Sequence, residues 1–173
     1  LDKGVAVALA KAGAEVFVTA RSAEENSVEK RLPGSLASVR EEIEAAGGQC
    51  TVLKCDHTKD EETAAVVEQI RTTGRKRLDI LVNNAFAIPK PASQFFHQPF
   101  YEQPVNFFDS VANVGLRNHY VCTHYAADLL FASKGIVVNV SSAGGQHYGF
   151  CTAYGTIKAA LDRMSLDMAR DLR

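Results

Sequence analysis

The feature that most constrains this chain is an alternation of period. Four short apolar segments rich in β-branched residues, Ala14 to Ala20, Cys50 to Cys55, Leu78 to Val82 and Ile136 to Val140, are each preceded by residues at helical spacing. Lys3 to Ala12 reads as a helix closed by Gly13. A Ser38-x-x-Glu41 capping box opens a helix over Val39 to Ala46 that ends at Gly47-Gly48, and Thr58-x-x-Glu61 opens another to about Thr73. A long helix starts near Pro104, carries Phe107, Val111, Val114 and Tyr120-Val121 towards the core, and ends near Ser133 before Gly135. The last helix runs from Ala153 to Leu172, with Ile157, Leu161, Met164 and Met168 on its apolar stripe. Residues 22 to 34 are polar and read as a loop or frayed helix, and residues 143 to 152 as a loop. Residues 86 to 104 hold four of the five prolines and no clear period, a long loop where substrate contacts are expected.

Strands separated by helices pair in parallel through right-handed crossovers, so the expected fold is α/β, a doubly wound parallel sheet in three layers, forming a single domain over residues 1–173. The segment Ile136 to Val140 is too continuously apolar for a sheet wet on one face. Ligands bind such sheets beyond the carboxyl ends of the strands. That rule selects Arg21, Asp56, Asn83 to Ala85 and Ser141-Ser142, each of which follows the last apolar residue of a strand.

Charge and cysteine content remove whole classes of function. Nineteen Lys and Arg balance twenty Asp and Glu, a net charge of -1, which argues against nucleic acid or anionic lipid as partner. The run Arg71 to Arg77 reads as a solvated helix end. The longest wholly apolar run, Val5 to Ala10, is far short of a membrane span, so no membrane crossing is expected. The first residues lack the pattern of a secretory signal, and cytoplasmic exposure is the default. Cys50, Cys55, Cys122 and Cys151 form no Cys-x-x-Cys pair and read as reduced thiols; the five histidines suggest no metal, although His119 and Tyr148 are placed at the border of the pocket.

Tyr154 and Lys158 are four residues apart on one helix, so their side chains share a face. A nearby ammonium stabilises a phenolate and brings proton exchange by Tyr154 closer to neutral pH. Twelve residues upstream, at the end of a strand, Ser142 stands where a hydroxyl could polarise a carbonyl beside Tyr154. Ser141 competes for that role, because adjacent strand residues point to opposite faces.

Asn83-Asn84-Ala85 after a strand, then Ile136 to Ser142, then Tyr154-x-x-x-Lys158, in this order and spacing, resemble the short-chain dehydrogenase/reductase family from end to end. The resemblance implies a Rossmann-type fold and hydride transfer between a nicotinamide cofactor and a carbonyl or alcohol substrate. Tyr154 would be the acid/base, Lys158 would tune it and hold the nicotinamide ribose, and Ser142 would orient the substrate. Asn113 would complete a catalytic tetrad by supporting a proton-relay water. Asn83, Ala85, Tyr154 and Lys158 would line the cofactor site, and Asp56 would contact the adenine amine. Arg21, at the adenosine-ribose position with no acid before Glu24, points to NADP(H), with NAD the lesser choice. Phe86, where the family usually has glycine, and the run Asn113 to Tyr120 resemble one branch of the family, which implies steroid or hydrophobic xenobiotic carbonyls and endoplasmic-reticulum association; the expected partners are that small-molecule carbonyl or alcohol substrate and a further copy in a homo-oligomer.

Measured against the family, the sequence begins inside the glycine-rich phosphate turn, of which only the neighbouring Gly4 is present, and Arg173 closes the catalytic helix. The expected fold therefore lacks the first, central strand and the C-terminal part. The alternative expectation is a truncated, catalytically inactive partner of a complete family member.

Overall fold

The computed structural model describes residues 2–21, 36–73, 75–88 and 92–173. Within them the order is α1 (Asp2–Lys11), β1 (Glu15–Ala20), α2 (Leu36–Ala45), β2 (Gln49–Lys54), α3 (Asp60–Thr72), β3 (Ile80–Asn83), α4 (Asn106–Ala112), α5 (Asn118–Ser133), β4 (Ile136–Asn139) and α6 (Thr152–Asp171). Every expected strand forms, shifted by one or two residues at its ends. The polar stretch 22–34 lies outside the described residues, as do 89–91 of the longer loop. Two compact units divide the chain, Leu1–Glu62 and Thr63–Arg173.

In the first unit β1 and β2 pair in parallel from Glu15↔Gln49 to Ala20↔Lys54. Ala6, Val7 and Ala10 of α1 and Val39 and Ile43 of α2 are buried with Val16 of β1. Gly13 (φ 93) and Gly47 (φ 78) end the two helices in the left-handed region that glycine enters without a Cβ penalty. Neither capping box opens its helix. Ser38 stands inside α2, because buried Leu36, Val39 and Ile43 carry the apolar stripe back beyond it. At α3 the reciprocal bonds come from Asp56 and Glu62: the Asp56 carboxylate accepts from the Thr58 N–H (3.0 Å) and hydroxyl (2.8 Å), while Glu62 accepts from the Asp56 N–H (2.7 Å).

In the second unit β3 and β4 pair in parallel from Ile80↔Ile136 to Asn83↔Asn139. Leu129 and Leu130 of α5 pack with Val67, Leu81 and Val137. Ile136 and Val138, on the other side of β4, are 56% and 40% exposed, so the run that read as buried on both faces is covered on one among the described residues. A second cluster joins Phe107 and Val111 of α4 to Ala153 and Ile157 of α6.

The long helix expected from Pro104 to Ser133 is three pieces. Between α4 and α5 lies a π turn, Asn113–Arg117, in which the Asn118 N–H reaches the Asn113 carbonyl. One extra residue per turn rotates the rest of the helix by about 100°, so helical spacing drawn through it misplaces the downstream face. Tyr120, expected in the core, is 54% exposed, whereas Asn118 and His119 are buried. Among the described residues no helix is long and apolar enough to cross a membrane.

Candidate active site

The second unit gathers a hydroxyl pair and an ammonium at the end of β4. Ser142 has extended backbone (φ -156, ψ 163) and caps the short turn Ala143–Gly145, its Oγ accepting the Gly144 N–H at 3.1 Å. The Tyr154 hydroxyl, from the first turn of α6, donates to the same Oγ at 2.9 Å. With both acceptor sites of Ser142 used, its own proton remains to be donated. Ser141 faces elsewhere, its Oγ lying 3.5 Å from the backbone carbonyl of Lys158. Of the two serines, Ser142 is the one hydrogen-bonded to Tyr154.

One turn along α6, Lys158 is 5% exposed, and its Nζ donates to the Val140 carbonyl at 2.9 Å. Burial pushes this lysine below its ordinary pKa, and Asp162 on the same helix partly opposes the shift. Aromatic rings surround the tyrosine. Phe86, Phe96 and Phe150 meet Tyr154 edge to face at centroid distances of 5.6, 5.6 and 5.3 Å, and Phe96 stacks on Phe150 at 5.2 Å. Phe96 comes from the loop expected to contact substrate. Phe150 carried no local signal in the sequence, since it joins the group through a left-handed backbone (φ 66).

Asn113 opens the π turn, which packs against α6, and its side chain is half-buried. Asn83 faces inward: its Nδ2 donates to Asn139 Oδ1 (2.9 Å) and Thr123 Oγ1 (3.1 Å), and Asn139 continues the chain to Ser165 Oγ (2.9 Å). His119 is 1% exposed and donates from Nε2 to the Ala85 carbonyl at 3.1 Å. It braces the loop after β3 from inside, and Tyr148 is exposed. Asn83 and Ala85 are thus positioned by bonds that already engage their polar groups.

The first unit presents its own residues. Arg21 and Asp56 follow the ends of β1 and β2. Burial raises the Asp56 carboxyl, but the Thr58 N–H and hydroxyl, with the positive charges of Arg21 and Lys59, outweigh it and hold Asp56 below the usual carboxylate range. His57 Nε2 lies 2.9 Å from the Thr19 hydroxyl and ties the two strand ends together. Gly4 is exposed on α1, with open space around it.

Residues 1–173 match the short chain dehydrogenase family. The chain is 37% identical to dehydrogenase/reductase SDR family member 1 of Mus musculus and of Homo sapiens, in each case over all of this chain and 52% of the relative, so it spans about half the length of these curated relatives. Among solved structures, a metagenomic short-chain oxidoreductase in complex with NADP superposes with a TM-score of 0.82 at 29% identity, over 99% of this chain and 71% of that one. A short-chain alcohol dehydrogenase from Sinorhizobium meliloti 1021, described as putative, gives 0.80 at 28% over 98% and 61%. The Rossmann-type α/β architecture agrees with these matches: the chain belongs to the short-chain dehydrogenase/reductase family.

Proposed function

We propose that the chain carries the catalytic set of an NADPH-dependent carbonyl reductase. The observation that supports this most is the Tyr154–Ser142 hydroxyl pair beside the buried Lys158 ammonium. The Tyr154 hydroxyl turns from Ser142 to the carbonyl oxygen of the substrate and gives it its proton, while Ser142, still accepting the Gly144 N–H, donates a hydrogen bond to the same oxygen. The positive charge of Lys158 favours the phenolate left behind, and the half-buried Asn113 amide holds a water that returns the proton. A nicotinamide, when bound, supplies the hydride.

The side chains present fit such a cofactor. The Lys158 ammonium uses one of its three N–H groups on Val140, leaving two for the hydroxyls of a ribose. In the first unit the Asp56 carboxylate accepts from an adenine amine and the Arg21 guanidinium takes a 2′-phosphate, which favours NADPH over NADH. Asn83, Ala85 and Gly4 contribute position and open backbone. The three phenylalanines edged against Tyr154 favour an apolar ketone, of steroid or xenobiotic type, over a sugar or a charged acid.

The test is NADPH oxidation by the full-length protein against a ketone panel, with Tyr154→Phe beside it. Turnover falls by roughly 10²–10⁴-fold in the variant while NADPH binding, read by fluorescence, is kept. Turnover that survives the substitution removes this mechanism.

A further inference from the structure

The ring of Phe86 touches three parts of the site at once. Lys158 Nζ lies over it, 5.5 Å from the centroid, and also 5.9 Å from the centroid of the Tyr154 ring. Phe86 meets that tyrosine at an interplanar angle of 89°. Beneath it lies Gly115 of the π turn: a Cβ there would come within 2.9 and 3.0 Å of two carbons of the Phe86 ring. The π turn that begins at Asn113 thus offers its one glycine as the seat of this ring.

We propose that Phe86, seated on Gly115, is a positioning residue that holds the Lys158 ammonium beside Tyr154. The physical need is plain. Lys158 is buried and has one neutral oxygen acceptor, so its charge is under-compensated, and the negative face of an aromatic ring supplies attraction without removing an N–H from ligand binding. The titratable groups that face it are Tyr154 and Asp162, both on α6, and Asp162 is the charge that acts on it among the described residues. The end of β4 offers a carbonyl, the turn Ala143–Gly145 carries no ionisable side chain, and in the π turn the one charged residue, Arg117, is exposed. Besides Asp162, the side chains that favour the ammonium over the neutral amine are therefore two rings, Tyr154 at 5.9 Å and, nearer at 5.5 Å and from outside α6, Phe86.

This inference rests on the catalytic roles proposed for Tyr154 and Lys158, and its experiment separates the two. In the full-length protein without cofactor, the Lys158 side-chain nitrogen is titrated by NMR in the native form and in Phe86→Leu, Phe86→Trp and Gly115→Ala. Phe86→Leu lowers the titration midpoint by about half a pH unit, Gly115→Ala lowers it by displacing the ring, and Phe86→Trp restores it. Turnover changes in the same order, about tenfold lower in Phe86→Leu. An unchanged midpoint in Phe86→Leu, or in Gly115→Ala should Phe86→Leu fail to fold, overturns the positioning role even if Tyr154→Phe is inactive. A shifted midpoint in a protein whose Tyr154→Phe form keeps its turnover sustains the contact and removes the catalytic reading alone.

Discussion

β1 with β2 and β3 with β4 are the same device, two parallel strands in register with polar residues at their carboxyl ends, and yet those ends are built by opposite physics. Asp56, beyond β2, is held below the usual carboxylate range because donors and cations around it favour its charge. Lys158, beside the end of β4, is held below the usual lysine range because burial disfavours its charge. The first arrangement suits recognition, since a solvated charge costs little to keep and remains open to a partner. The second suits the proton chemistry proposed for this site, since a charge kept in a desolvated place interacts with its neighbours more strongly than one in water. In the β3–β4 pair the strand ends themselves are locked by Asn83, Asn139, Thr123 and Ser165, so the groups proposed to react stand on a hydrogen-bonded frame.

The sharpest way to break this contrast is Lys158→Met. Turnover falls by roughly 10²–10⁴-fold, as for loss of the tyrosine's partner. Stability moves the other way, rising by about 1 kcal/mol at neutral pH, because a buried and under-compensated charge is removed. A lysine whose folded pKa is lowered costs stability below that pKa, and the cost disappears as pH rises towards the unfolded value near about 10.4. The advantage of the variant in urea therefore shrinks over that window. A variant less stable than the native protein at neutral pH would show that Lys158 supports the fold, and the contrast would fail.

Next in size is Asn83→Leu, which leaves Asn139 Oδ1 without its donor in a buried network and costs about 2–3 kcal/mol in urea unfolding. A loss under about 0.5 kcal/mol would mean that the network is not the frame on which the reacting groups stand.

The range of each signal decides how much of the molecule the sequence made legible. Tyr154 and Lys158 were readable because helical spacing fixes a shared face, and Ser142 because a strand end is marked by its last apolar residue. Ser141 and Ser142 could not be separated, since the direction of either depends on the backbone just past β4, where no repeating period operates. The π turn at 113–117 was invisible because its residues fit an ordinary helix; the glycine that seats Phe86 shows its purpose only once a ring from another segment lies against it. Phe86 and Phe96 stand ten residues apart in the stretch between β3 and α4 and Phe150 lies between β4 and α6, and the left-handed backbone of Phe150 contradicts its local preference, a strain that surrounding packing sustains. The misplaced capping boxes share this cause: burial of Leu36 and the longer reach of Glu62 outweighed the four-residue pattern.

The smallest effect is expected at the other strand pair, in Asp56→Asn. The amide keeps an acceptor for the Thr58 N–H and hydroxyl and loses only the charge, so at neutral pH the cost is about 0.5 kcal/mol or less. A carboxylate with a lowered folded pKa contributes stability above its unfolded value, about 3.9, and loses it as pH falls through the folded value. Native and variant unfolding curves should therefore converge in acid, below about pH 4, with the native protein ahead above it. A cost at neutral pH as large as that of Asn83→Leu would mean that Asp56 also frames the fold. The end of β2 would then be built as the end of β3 is, with recognition and structure resting on the same carboxylate.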